Sequence, residues 1–176
     1  MDITYSQKTG IKLTGKGLSV ALDPTAETKA DVVLLSRLAE SERSLTTFDG
    51  PGEYEVKGCM IDALALSGGL TAYRVELEDM RLGYLPVFPD EGDKGTDALR
   101  GCDVLFVPLE DRKVEVVAKL VASFEPKVVV PTNYSEPELT AFLSEMGAKD
   151  AHPVERLKLQ RKDIVDDRQE VVVLQS

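Results

Sequence analysis

Apolar and polar residues alternate along the first part of the chain, the signature of strands with one covered face. Residues 1–5, 11–13 and 18–22 are predicted strands, and Gly10, Gly15 and Gly17 punctuate them as turns. Residues 31–36 (DVVLLS) are almost continuously apolar, which predicts a strand covered on both faces. Residues 53–56, 60–66, 70–77 and 81–85 read as a meander, because Lys57-Gly58, Gly68-Gly69 and Glu78-Asp79 supply tight turns between them. Then the period changes. An irregular stretch at 86–101, rich in Pro, Gly and Asp, closes in a helical turn near 97–100, and strand and helix alternate beyond it. Residues 103–107 predict a buried strand, and 112–124 a helix with Val114, Val117, Leu120, Val121 and Phe124 on one face. Residues 127–130 predict a strand that stops at Pro131. Ser135 and Glu138 have capping-box spacing ahead of Leu139, Phe142, Leu143 and Met146, and Gly147 is a natural stop. Residues 157–159 and 171–174 read as closing strands. Short strands first and strand–helix units later predict an α/β or α+β domain in which helices cover strands from both halves.

Composition narrows the partners more than the fold. The 176 residues suit one ordinary domain, taken here as 1–176, and are enough to bury a core without staples. With 21 basic and 31 acidic side chains the net charge is −10, which repels phosphate backbones at long range and argues against general nucleic-acid binding. No apolar run reaches the length of a membrane span, and the first residues lack the basic and apolar regions of a secretory signal. The expectation is a cytoplasmic protein without membrane contact. The two cysteines, Cys59 and Cys102, form no CxxC and read as buried free thiols. A single histidine, His152, cannot build a His-rich metal site.

Several segments are more specific than periodicity. They are the opening Met1-Asp2-Ile3-Thr4-Tyr5, the strand Val20-Ala21-Leu22 ending in Asp23-Pro24, and Lys29-Ala30-Asp31-Val32-Val33-Leu34-Leu35-Ser36. Others are the FDGPGEYEVKG run from Phe48 to Gly58, Asp103-Val104-Leu105-Phe106-Val107-Pro108, Glu125-Pro126-Lys127-Val128-Val129-Val130-Pro131, and the closing Leu157-Lys158-Leu159 with Glu170-Val171-Val172-Val173-Leu174. In order and spacing the whole chain resembles the small bacterial metallo-β-lactamase-fold hydrolases, nearest the branch similar to ascorbate-phosphate lactonase. The resemblance implies an αββα four-layer sandwich with a dinuclear metal site at one edge between two sheets. In such a site imidazoles and carboxylates hold ions that make hydroxide at neutral pH.

The residues that would carry this chemistry are missing. The family's S-H-x-H-x-D-H signature after the buried strand is here Ser36-Arg37-Leu38-Ala39-Glu40-Ser41-Glu42. Its ligand positions hold Arg37, Ala39, Ser41 and Glu42. The bridging aspartate of the turn after the meander is replaced by Val87, and the histidine after the strand that reaches Pro131 by Asn133. An early Gly-His pair is Gln7-Lys8. Alanine and valine offer no lone pair, a cationic Arg or Lys repels Zn²⁺, and one carboxylate does not hold a transition metal tightly.

The resemblance therefore implies a degenerate member, metal-free and without a catalytic set or cofactor, that keeps the fold as a binding or scaffold module. The implied partner is an unidentified protein or a small anionic ligand, and the resemblance also implies self-association, since the family often forms oligomers. Two alternatives stay open. Lys8, Arg37 and Asn133 could converge on the vacated site and grip an anion, with Asp23, Asp49, Tyr84 and Tyr134 on the rim, unless Arg37 simply pairs with Glu40 or Glu42. Or the chain is a hydrolase with an atypical metal site, its loop carboxylates (Asp23, Asp49, Glu53, Asp90, Glu91) binding a hard cation. Ser36 or Ser41 as a nucleophile lacks a nearby histidine base.

Overall fold

Alternation along the first strands builds one sheet. In the computed structural model, which describes residues 1–6, 10–25, 28–38, 46–110, 112–164 and 168–175, Ile3, Tyr5, Ile11 and Leu13 are buried while the polar residues between them stay at the surface. These residues belong to β1 (Asp2–Ser6) and β2 (Gly10–Thr14). They are followed by β3 (Ser19–Leu22), β4 (Val32–Leu34) and β5 (Thr47–Phe48). The meander comprises β6 (Gly52–Val56), β7 (Cys59–Leu66), β8 (Leu70–Leu77) and β9 (Met80–Tyr84). Then come β10 (Val104–Pro108), α1 (Val114–Phe124), β11 (Val128–Thr132), α2 (Glu136–Glu145), β12 (Leu157–Lys158) and β13 (Glu170–Val171).

The strands form two sheets. The six-stranded sheet runs β12-β1-β2-β3-β4-β5 and the seven-stranded sheet β13-β11-β10-β9-β8-β7-β6. Each sheet has an antiparallel part and a parallel part. In the first, β3, β4 and β5 are parallel; in the second, β9, β10, β11 and β13 are. The sheets face each other across a core that joins Ile3, Leu13, Val20 and Leu34 to Ile61, Tyr73, Phe106 and Val130. A second core lies on the outer face of the seven-stranded sheet, where Leu105, Val107 and Val129 meet Val117, Val121, Phe124 and Phe142 of the two helices. Val104 and Phe106 thus serve one core and Leu105 and Val107 the other, which is why that strand reads as unbroken apolar sequence. The fold is the expected mixed α/β sandwich, and the described helices supply its layer over the seven-stranded sheet.

Four local expectations are corrected. β11 runs through Pro131 instead of stopping there. Lys127 and Val129 accept from Glu170 and Val172, so residue 131, next on that side, points beyond the end of β13, where a missing N–H breaks no ladder. The last strand is Glu170–Val171; Val172 still donates to Val129, and Leu174 is then drawn to a parallel bridge with Val154. The short strand β5 was not visible in the sequence. In β4, Val32 and Leu34 are buried but Val33 only half-buried, because the described helices lie on the other sheet.

Other expectations hold. Ser135 donates from its backbone N–H and its Oγ to Glu138 Oε2, both at 2.7 Å, and Gly147 takes a φ of 69° after α2. Both cysteines are free and buried, and burial pushes the Cys59 thiol up to about 11 and that of Cys102 to about 12, so neither is a ready nucleophile. No helix among the described residues is long and apolar enough to cross a membrane.

Candidate functional site

The two parallel strand sets turn their carboxyl ends toward one edge of the sandwich, the place where open α/β sheets collect ligands. A cavity of about 760 Å³ opens there, within the size range of small-molecule sites. Its walls come from the ends of β3 (Asp23), β4 (Ser36, Arg37), β9 (Tyr84, Val87) and β11 (Thr132, Asn133, Tyr134), with Tyr5 from β1. The N-terminus of α2 reaches it through Ser135 and Glu138.

One wall is closed by hydrogen bonds. Asp23 ends β3 with a φ of 46°, and its backbone N–H donates to Leu34 O at 2.9 Å. Its carboxylate accepts from the Ser36 backbone N–H on Oδ1 and from the Tyr84 hydroxyl on Oδ2, each at 2.7 Å. Burial, then the Asp23 charge, pushes the Tyr84 phenol well above its usual range, so it stays protonated and donating. Gly10 closes the same corner from below. Its φ is 65°, and a Cβ there would stand 2.1 Å from Leu22 O and 2.6 Å from Asp23 O. The glycine read as a turn in the sequence is thus a close backbone approach that seats Asp23.

The opposite wall is open. At the end of β11, Asn133 has a φ of 46°, and its backbone N–H donates to the Tyr5 oxygen at 3.3 Å. The Tyr5 hydroxyl donates in turn to Asn133 Oδ1 at 3.3 Å, which turns the amide NH₂ away as the unused end. Thr132 is 2% exposed, and its Oγ1 has no hydrogen-bond partner among the described residues. Arg37 is exposed at the mouth, with no ion-pair partner among the described residues. Glu40 and Glu42, the partners the sequence offered it, lie outside the described residues, as do Lys8, Ala39 and Ser41.

The cavity therefore brings together Arg37, Val87 and Asn133 of the predicted ligand positions, and Asp23, Tyr84 and Tyr134 of the predicted rim. Tyr134 is half-buried and donates to Leu174 O at 3.3 Å. Asp49 is not part of the lining. It is 6% exposed, and its charge is one of the influences, after burial and Asp23, that raise the Tyr73 phenol. Sequence reasoning missed Tyr5, Gly10 and Thr132. Nothing in their local pattern marks them: Tyr5 and Gly10 matter through contacts with residues distant in the chain, and Thr132 through a burial that only the fold creates.

The donor set of the described residues does not suit a dinuclear metal centre. Among the described residues no group of three or more His, Cys, Asp or Glu is placed to hold a metal ion. Asp23 is the carboxylate nearest the role, and both its oxygens are engaged by protein donors. His152 is exposed and outside the lining.

Known proteins share the architecture. A Thermotoga maritima protein assigned by name to the Zn-dependent hydrolases of the metallo-beta-lactamase superfamily superposes with a TM-score of 0.78 at 20% identity, over 99% of this chain and 100% of that one. The metallo-beta-lactamase-fold protein YhfI from Bacillus subtilis does so with a TM-score of 0.64 at 10% identity, over 99% and 96%. A diphosphatase of the PhnP family covers 70% of this chain and 71% of its own, with a TM-score of 0.54 and 12% identity. At these identities the likeness is one of fold. No curated protein sequence matches the chain. The family model described as Beta-lactamase superfamily domain matches residues 2–133, and the chain belongs to that superfamily.

Proposed function

We propose that this protein is a degenerate metallo-β-lactamase-fold member, close to the ascorbate-phosphate lactonase-like branch, that binds a ligand in its edge pocket and does not hydrolyse through a dinuclear metal centre. One observation carries the reading. Where strand ends from both sheets meet, the side chains include Arg37, Val87, Asn133 and an Asp23 with each oxygen engaged by a protein donor, Ser36 or Tyr84. Val87 has no lone pair, the Asn133 carbonyl is engaged by Tyr5, and the Arg37 cation opposes a divalent ion. The pocket itself persists, with a volume and a polar lining suited to a small molecule. A binding role in the cytoplasm follows from the same reading.

Turnover after metal loading is the test. The protein is incubated with Zn²⁺ or Mn²⁺ and assayed against a phosphodiester (bis-p-nitrophenyl phosphate), a thioester and a simple lactone. The expected result is no rate above that of the metal ion alone. A metal-dependent rate that saturates with substrate would overturn the proposal and restore the hydrolase reading.

A further inference from the structure

The pocket lining holds donors that find no acceptor among the described residues. Asp23 accepts from Ser36 and Tyr84, one donor on each oxygen, and Glu138 accepts both Ser135 donors on Oε2. Among the described residues, the Arg37 guanidinium, the Asn133 NH₂ and the buried Thr132 hydroxyl of this lining have no acceptor in the protein. The first two are donors only, and the third can donate. A ligand that satisfies all three must present acceptors. The orphaned Thr132 oxygen matters most, because a buried hydroxyl without a partner is costly and is usually satisfied by something.

Charge decides between acceptors. Among the described residues the lining carries one cation, Arg37, against Asp23, Glu110 and Glu138. A dianionic phosphate would add two negative charges beside three carboxylates. A carboxylate adds one, and its planar pair of oxygens matches the guanidinium fork. We infer that the pocket binds a small monocarboxylate, held by Arg37 at the mouth and by Asn133 Nδ2 and the Thr132 hydroxyl at the end of β11. This rests on the reading of the site as a binding pocket. The half-buried Tyr134 and the aliphatic Val87 would flank the ligand's body.

The experiment is calorimetric titration of the intact protein with sodium benzoate and sodium hippurate, with sodium chloride as ionic control and inorganic phosphate at pH 8 as the dianion. Saturable binding of at least one carboxylate, tighter than phosphate, is expected. Arg37→Gln should weaken it by about tenfold or more, the loss of a charge-assisted pair. Thr132→Val, nearly isosteric, should weaken it by about five- to tenfold while leaving the unliganded melting temperature equal or higher, since it removes an unsatisfied hydroxyl. The inference is overturned if neither carboxylate saturates, if phosphate binds more tightly, or if Thr132→Val leaves affinity unchanged. The metal-loading assay above is scored separately: metal-dependent turnover defeats the binding-module reading, whereas a protein without turnover that ignores both carboxylates defeats the ligand class alone.

Discussion

The two walls of the pocket are built from similar parts and left in different states. On the β3 side, Asp23 meets as many protein donors as it has oxygens, and Gly10 lets two backbones touch beneath it. On the β11 side, Thr132 and Asn133 end a strand with a hydroxyl that finds no partner among the described residues and an amide whose oxygen is engaged by Tyr5. The first wall is a brace whose polar groups are consumed by folding. The second keeps polar groups in reserve, and burying one of them without a partner is the kind of cost a fold carries for binding. A carboxylate near a pocket is thus no guide to chemistry until its acceptors have been counted.

Substitutions on the two walls should therefore behave oppositely. The largest effect is expected at Gly10. Gly10→Ala forces a side chain into a left-handed conformation and onto Leu22 O, and should cost about 3 kcal/mol or more in chemical denaturation. Asp23→Ala comes next. It strands the Ser36 N–H and the buried Tyr84 hydroxyl, and a loss of about 2 kcal/mol is expected by the same measurement. If Asp23→Ala were neutral, the closed wall would not be a brace. Thr132→Val on the open wall should be neutral or stabilising by up to about 1 kcal/mol. A clear loss there would mean that its hydroxyl is satisfied in the free protein.

The smallest effect is one of pH. Backbone and side-chain hydrogen bonds from Ser135 hold the Glu138 carboxyl below its usual range. A depressed folded value means that this stabilisation is fully present above the unfolded value of about 4.5 and is lost as pH falls through the folded one. Melting curves from pH 6 to pH 3 should show a slightly smaller drop for Glu138→Gln than for the unaltered protein, since the variant has no carboxylate to protonate. Equal drops would show that the cap at the pocket's helical rim does not titrate with stability.

Much of the fold was legible because local rules agree with it. The capping box at Ser135, the apolar face of α1 and the glycine-punctuated meander each follow from periodicity and turn chemistry over a few residues. The end of β11 was misread because whether Pro131 breaks a ladder depends on where β13 ends, about forty residues away in sequence. β5 escaped because a strand of 2 residues carries no period. The site was legible in part: Arg37, Val87 and Asn133, singled out in the sequence, all line the cavity. What it can hold depends on pairings such as Tyr5 with Asn133 and Asp23 with Tyr84, separated by 128 and 61 positions, and no local spacing announces them.

The account stands most directly on the metal content of the protein, purified without chelator and measured by elemental mass spectrometry. It predicts zinc, manganese and iron each well below one ion per chain. Near-stoichiometric metal would contradict it, because a ligand set would then exist that the Arg37–Val87–Asn133 pocket does not provide.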